Sequence, residues 1–427
     1  MTNPRTVLHN VNIFDSINGK IEEDKTIVIS KGKIDWVGEA SSFEKEQNDT
    51  IMDLEGKYAL PGLIDCHVHL ELRSEHYTNP YQEWATTSPY FAGFRAIKSA
   101  EDHIRSGFTT VRDCGGDLWG QSLNRAIAGG LYRGPRVLAA QWPLQQVGSI
   151  TYDLPMDLNV AFNWLDSQRV LGIAYPTGVD EMILAVRTRR MQGSSFIKVM
   201  NTGSVYGLIL GSNIEDTFFS AEEMDALANE AHRNGMHVAC HSHNDTGINE
   251  ALDAGIDTIE HASYISEETS KRMAKTDSYL ITTYLVGDAR HSPEKMKENP
   301  GFVELMNEVA KATYENHRVA FEEGVKFALG SDSGPVNAPP GSSAKELVYI
   351  VENLGMSPAQ ALQCATINAA RAIKLEDEIG FIEVGKVADI VVVGVNPLES
   401  LTSLQELENI EYVLKGGEIV SKRGILQ

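Results

Sequence analysis

An α/β fold is predicted for this chain, and three observations predict it. From Leu60 to about Lys374, eight short apolar runs alternate with longer helical patterns. The runs are apolar without polar alternation, as expected of parallel strands covered on both faces. Both chain ends are instead rich in β-forming residues separated by turn signals. Eight β/α units in succession suggest a (β/α)8 TIM barrel.

The elements follow in order. "TVLHNVNIF", "KTIVIS" and "KIDWVG" read as N-terminal strands, separated by "SINGK" and "SKGK". The central runs are residues 62–70, 109–116, 136–141, 195–200, 237–243, 258–263, 279–285 and 327–333. Between them, "SAEEMDALANEAHRNG" opens on a Ser-x-x-Glu capping box and ends at Gly235, as an amphipathic helix should. At the C-terminus, "ADIVVVGVNP" and "EYVLKGGEIVSKRG" read as a strand and a hairpin.

Two connections are long, 71–95 and 142–178, and both carry aromatics: Tyr77, Tyr81, Trp84, Tyr90 and Phe91 in one, Trp142, Tyr152, Phe162 and Trp164 in the other. Loops at the C-terminal ends of barrel strands shape substrate pockets. Packing of these rings onto the barrel is the alternative.

Bulk properties restrict the partners. A net charge of −22 over 427 residues repels phosphate backbones and anionic lipid, so neither nucleic acid nor a membrane is an expected partner. No apolar run is long enough to span a bilayer. The start lacks a basic segment followed by an apolar one, so no secretory signal is read there. Cys66, Cys114, Cys240 and Cys364 form no CxxC pair, which suits reduced thiols in a cytoplasmic protein.

The chemistry is concentrated at the strand ends. In "LPGLIDCHVHL", His67 and His69 share one strand face, with Asp65 one step deeper. Two neutral imidazoles side by side can chelate a divalent ion. An isolated HxH pair is better explained by structural histidines, but other strand ends repeat the pattern. Lys198 ends the fourth strand, His241 the fifth, His261 the sixth and Asp332 the eighth.

These motifs, with "GFTTVRDCGG", "GPRV", "AGIDTIEH", "GVKFALGSDSG", "MSPAQALQCATINAARAI" and "IGFIEVGKVADIVVV", resemble the metal-dependent amidohydrolase superfamily over nearly the whole chain. The similarity is greatest to the subgroup that includes imidazolonepropionase-like and prolidase-like (Xaa-Pro or Xaa-Arg) dipeptidases. The resemblance implies a barrel over 60–374, with 1–59 and 375–427 forming a composite β-sandwich. It implies His67, His69 and Asp332 as ligands of one metal and His241 and His261 as ligands of a second. Lys198 resembles the lysine that takes up carbon dioxide to form a bridging carbamate. An ammonium there would repel two dications, whereas a carbamate is an anionic ligand. Pairing of the Lys198 amine with a carboxylate such as Asp113 is the alternative.

The expected function is metal-dependent hydrolysis of a carbon–nitrogen bond in a small amide or peptide-like substrate. Two divalent ions, with zinc suited to mixed imidazole and oxygen ligands, would lower the pKa of a bridging water. Asp332 would act as general base, or as a ligand alone. A one-metal hydrolase or deaminase of a cyclic nitrogen compound is the alternative; retention of Lys198 argues against it. A non-catalytic scaffold would be expected to lack ligands, and all six positions are filled. A homo-oligomer is expected.

The chain also departs from the family. Ile150 falls where many relatives carry a substrate-binding histidine in a "TGGH"-type motif, and "NAPPGSSAKEL" lacks a histidine that relatives often show after the eighth strand. His243 stands where some dipeptidase relatives have tyrosine; it can polarise a carbonyl, bind a carboxylate, or only support the site. Specificity is expected to lie in the 142–178 connection and in His243, and Ile150 in place of that histidine favours a less polar substrate, such as an aryl amide or carbamate. His103, His232 and His317 fall on helical stretches and are expected at the surface.

Overall fold

The structure, a computed structural model, describes residues 5–73, 87–115, 120–146, 175–205, 213–288, 300–335 and 337–427. The chain is an α/β protein. Its N-terminal strands are β1 (Arg5–Asp15), β2 (Lys20–Ser30), β3 (Lys33–Glu39), β4 (Asp49–Asp53) and β5 (Tyr58–Pro61). The alternating part then runs β6 (Leu63–Val68), α1 (Pro89–Arg105), β7 (Phe108–Asp113), α2 (Gly120–Ala128), β8 (Arg136–Ala139), α3 (Val179–Met191), β9 (Ile197–Met200), α4 (Ala221–Arg233) and β10 (Val238–Ser242). It continues with α5 (Asp245–Asp253), β11 (Thr258–His261), α6 (Glu267–Met273), β12 (Tyr279–Ile281), α7 (Tyr284–Gly287), α8 (Pro300–Glu322) and β13 (Lys326–Ala328). Helices α9 (Ala344–Leu354), α10 (Pro358–Cys364) and α11 (Ile367–Ala372) lead to β14 (Ile390–Val393), β15 (Ile410–Lys415), β16 (Glu418–Lys422) and β17 (Ile425–Leu426).

All eight central runs are strands, and all pair in parallel. They form a three-stranded sheet, β6-β7-β8, and a five-stranded sheet, β9 to β13. Parallel bridges lie at both seams, Leu144 to Val199 and Val68 to Ser333. Every residue of β6, β7, β10 and β11 is buried, which explains why these runs show no polar alternation. Helix α4 begins as its sequence predicts: the Ser220 hydroxyl accepts from the Glu223 amide, and the Glu223 carboxylate accepts from the Ser220 amide.

Strands from both chain ends share one nine-stranded sheet, in which β14 pairs antiparallel with β5 and β5 pairs parallel with β1. The period of two is visible in β14. Ile390 and Val392 join a cluster with Leu8, Ile27 and Ile34, while Val391 and Val393 join the large cluster that holds Leu63, Phe108 and Val111. The terminal sheet therefore continues the core of the alternating part. All four cysteines are buried and unpaired.

Two surface expectations are corrected. His103 and His317 are fully buried. They lie on the inward faces of α1 and α8, and their rings are partnered: Ser333 and Ser343 hydroxyls for His103, the Tyr284 hydroxyl and the Ala262 carbonyl for His317. Burial holds both imidazoles neutral, with pKa values pushed down to about 4. His232 is half-exposed and pairs with Asp257 at 2.7 Å.

Candidate active site

All seven residues singled out in the sequence line one cavity. His67, His69, Lys198, His241, His243, His261 and Asp332 converge at the C-terminal ends of their strands, in a space of about 1250 Å³ that includes open solvent at its mouth. His67 lies in β6, Lys198 in β9, His241 in β10 and His261 at the last position of β11. His69 and His243 follow by alternation just past β6 and β10. Asp332 comes from the turn after β13, where its amide donates to the His67 carbonyl at 2.8 Å.

The rings are close. Centroids lie 5.4 Å apart for His67 and His69, 5.0 Å for His67 and His261, and 4.7 Å for His241 and His261. Nε2 of His69 is 3.2 Å, and Nε2 of His67 3.7 Å, from Oδ1 of Asp332. Among the described residues, three groups bring ligand atoms within 4.8 Å of one another: His241, His243 and His261; His67, His261 and Asp332; and His67, Cys114 and Glu260.

The backbone is strained where these residues turn in. His261, Thr283 and Asp332 have φ of +72°, +69° and +52°, in the left-handed region that costs non-glycine residues energy. In "GSDSG", Gly334 has φ +128°, and a Cβ there would lie 2.2 Å from the His69 carbonyl oxygen. Only glycine lets the Asp332 turn pass that close to His69.

Electrostatics fits a cation site. Burial lowers the pKa of His67 to about 4 and of His243 to about 3, and lowers His241 and His261 well below the usual imidazole value, with Lys198 adding repulsion to each. Neutral imidazoles are what metal binding needs. Burial pushes Asp332 up, but His67, His69 and Lys198 outweigh it and hold the carboxyl below its ordinary value. Among the described residues, Nζ of Lys198 is buried and has no hydrogen-bond partner. The pairing with Asp113 considered from the sequence is thus absent. A buried amine left without a partner is costly, so this position calls for a further group. Mixed imidazole and oxygen donors suit a borderline divalent cation.

Several supporting residues were missed by sequence reasoning. Nδ1 of His67 meets Glu260 Oε2 at 2.7 Å, and Glu260 Oε1 meets Arg112 Nη2 at 2.7 Å. His243 Nδ1 lies 2.9 Å from the Ser263 hydroxyl, and His261 Nδ1 lies 2.8 Å from the Thr283 hydroxyl. Asp65 lies below the cavity rather than on it. Its carboxylate accepts from the amides of His67 and Ser331 and from the Ser331 hydroxyl, and burial raises its pKa to about 6. The signal for Glu260 and Arg112 is a charged residue inside a run read as a buried strand, in "TIEH" and "TTVRD".

The cavity wall is largely apolar. Leu72, Trp142, Met200 and Val205 line one part, and Val286, Met306 and Val309 another. Of the long-loop aromatics, Trp142 lines the cavity, whereas Tyr90 and Phe91 are exposed to solvent. Tyr77, Tyr81, Trp84, Ile150, Tyr152, Phe162 and Trp164 lie outside the described residues.

This arrangement, a cluster of imidazoles with a lysine and an aspartate at parallel strand ends, is a candidate metal site. The chain belongs to the Amidohydrolase family, which it matches over residues 58–420. It is 30% identical to an ochratoxinase of Aspergillus niger, covering 96% of this chain and 85% of that protein. It is 24% identical to an imidazolonepropionase of Treponema denticola, covering 97% of each. Its structure resembles that of a Xaa-Pro dipeptidase with methionine in the active site, with TM-score 0.83, 30% identity, and coverage of 97% of this chain and 99% of that one. Family membership supports hydrolysis of carbon–nitrogen bonds.

Proposed function

We propose that this chain is a binuclear metal-dependent amidohydrolase that cleaves the amide bond of a small, largely apolar substrate. The observation that carries the reading is the unpartnered, buried amine of Lys198 among four candidate histidine ligands and Asp332. As a carbamate, Lys198 supplies anionic oxygens where an amine supplies none. His67, His69 and Asp332 would hold one ion, His241 and His261 the other, and Lys198 as a carbamate would be a ligand to both. Divalent ions held there, zinc by the donor set, would supply a Lewis acid for the substrate carbonyl and a source of hydroxide at neutral pH.

The chain's own residues do the rest. Asp332 accepts a proton from the attacking water and returns it to the leaving nitrogen as the carbon–nitrogen bond breaks. His243, its Nδ1 tied to Ser263, directs Nε2 toward the substrate carbonyl. The apolar wall binds the acyl or amine substituent and excludes water. The products are a carboxylate and an amine.

A one-ion reading has its own support, because His241, His243 and His261 by themselves bring three ligand atoms within 4.8 Å. In that case His243 is a ligand and not a substrate contact.

The same reading treats β6 to β13 as one (β/α)8 barrel and the terminal strands as a sandwich, with the division at 60–374. It also places the chain in the cytoplasm as a homo-oligomer. Among the described residues, no helix is long and apolar enough to cross a membrane. The test of function is a screen for amine release from aryl amides, N-acyl arginine and apolar dipeptides. Preference for the apolar compounds supports the reading; preference for the charged ones contradicts the substrate class.

A further inference from the structure

Beneath the cavity lies a charged pair that the proposed reaction does not use. Arg112 and Glu260 are both fully buried, on β7 and β11. Arg112 donates through Nε to the Cys66 carbonyl at 2.5 Å, through Nη1 to the Thr258 hydroxyl at 3.0 Å and through Nη2 to Glu260 at 2.7 Å. Its guanidinium stands 5.2 Å over the Phe196 ring. Glu260 Oε1 also accepts from the Thr258 hydroxyl at 2.6 Å, and Oε2 faces Nδ1 of His67 at 2.7 Å.

A buried ion pair is a weak stabiliser, since desolvation offsets most of the attraction and well-packed apolar residues serve stability equally. Its geometry points to another use. Arg112 Nη2 and the Thr258 hydroxyl both donate to Glu260 Oε1, which leaves Oε2 to accept from His67. Nδ1 of His67 is therefore the donor to Oε2, and Nε2 is the ring atom that faces Asp332. Neighbouring rings lack this partner: His243 and His261 meet hydroxyls, and Nδ1 of His69 has no partner among the described residues.

We infer that Glu260, clamped by Arg112, is a positioning residue that fixes the tautomer and strengthens the donor power of His67 as a metal ligand. Glu260 does not line the cavity. The inference rests on the reading of His67 as a ligand. Arg112, Glu260 and His67 come from three strands, so the clamp ties β6, β7 and β11 to one ring orientation.

The test is zinc affinity, measured by chelator competition on metal-stripped, full-length protein, with unfolding of the metal-free form followed in parallel. Loss of such a partner typically weakens metal binding about 10–100-fold. Glu260→Gln should show that loss in one of two equivalents, together with lower stability, because Arg112 is left unpaired. The double variant Arg112→Met with Glu260→Gln removes the unpaired cation. It should recover stability and keep the weak binding, because the His67 partner is still neutral. Recovery of wild-type affinity by the double variant would mean that the pair acts on folding alone, and would overturn the inference. If Glu260→Gln fails to fold, the affinity of the double variant decides the matter by itself. His67→Ala separates the two readings. If it binds both equivalents with unchanged affinity, His67 is no ligand and the metal assignment fails. If it loses one equivalent while the double variant binds like wild type, only the inference fails.

Discussion

His243 and His261 lie ring over ring, with centroids 4.8 Å apart and planes 11° from parallel. Each has its Nδ1 tied to a hydroxyl, so both Nε2 atoms are free to face the cavity. The two rings are equivalent in geometry, yet the binuclear reading gives them different work: His261 binds metal and His243 binds substrate.

His243→Ala should therefore keep two equivalents of metal and lose turnover by about 10²–10³-fold, the scale of a lost oxyanion contact. Ser263→Ala, which only frees the ring, should cost less. Metal analysis beside steady-state kinetics checks this. Loss of one equivalent in His243→Ala would favour the one-ion reading.

Asp332→Asn should retain its fold and lose about 10²–10⁴ in turnover, the usual contribution of positioned acid–base catalysis. Turnover within a few-fold of wild type would remove Asp332 from proton transfer.

Gly334→Ala should destabilise the protein by more than the ~1–3 kcal/mol typical of a single strained backbone position. The new Cβ must displace the His69 carbonyl, and with it the approach of His69 to Asp332. Urea unfolding measures the cost; a change under about 0.5 kcal/mol would show that the turn relaxes freely.

The His232–Asp257 pair predicts a pH-dependent term in stability. Asp257 raises the His232 pKa above its ordinary value, outweighing burial. The folded state then holds that proton more tightly than the unfolded state. The contribution is fully present below about pH 6.5, the unfolded value, and is lost as pH rises through the folded pKa. His232 is 41% exposed, so the term should be only about 0.2–1 kcal/mol. His232→Gln should lower stability at pH 5.5 and converge on wild type by about pH 9. A constant difference across that range would contradict the pairing.

The eight central strands were legible because burial on both faces leaves an unbroken apolar run, and because helix starts such as Ser220 carry their caps locally. The metal-type residues were legible because strand alternation places His67 with His69 and His241 with His243. Alternation also explains what stayed hidden. It puts Glu260 on the face opposite His261, but φ of +72° at His261 turns both inward. The burial of His103 and His317 depends on Ser333, Ser343 and Tyr284, which come from segments distant in sequence. No local pattern carries such a contact.

The central claim is that Lys198 bridges two metal ions as a carbamate, and metal content of the purified protein tests it most directly. Wild type should hold about two equivalents of divalent metal per chain, and Lys198→Ala should lose most of its metal and activity, with some activity restored by a short carboxylate such as acetate. Lys198→Ala that keeps two equivalents and full turnover, or active wild type that holds a single equivalent, would contradict the account.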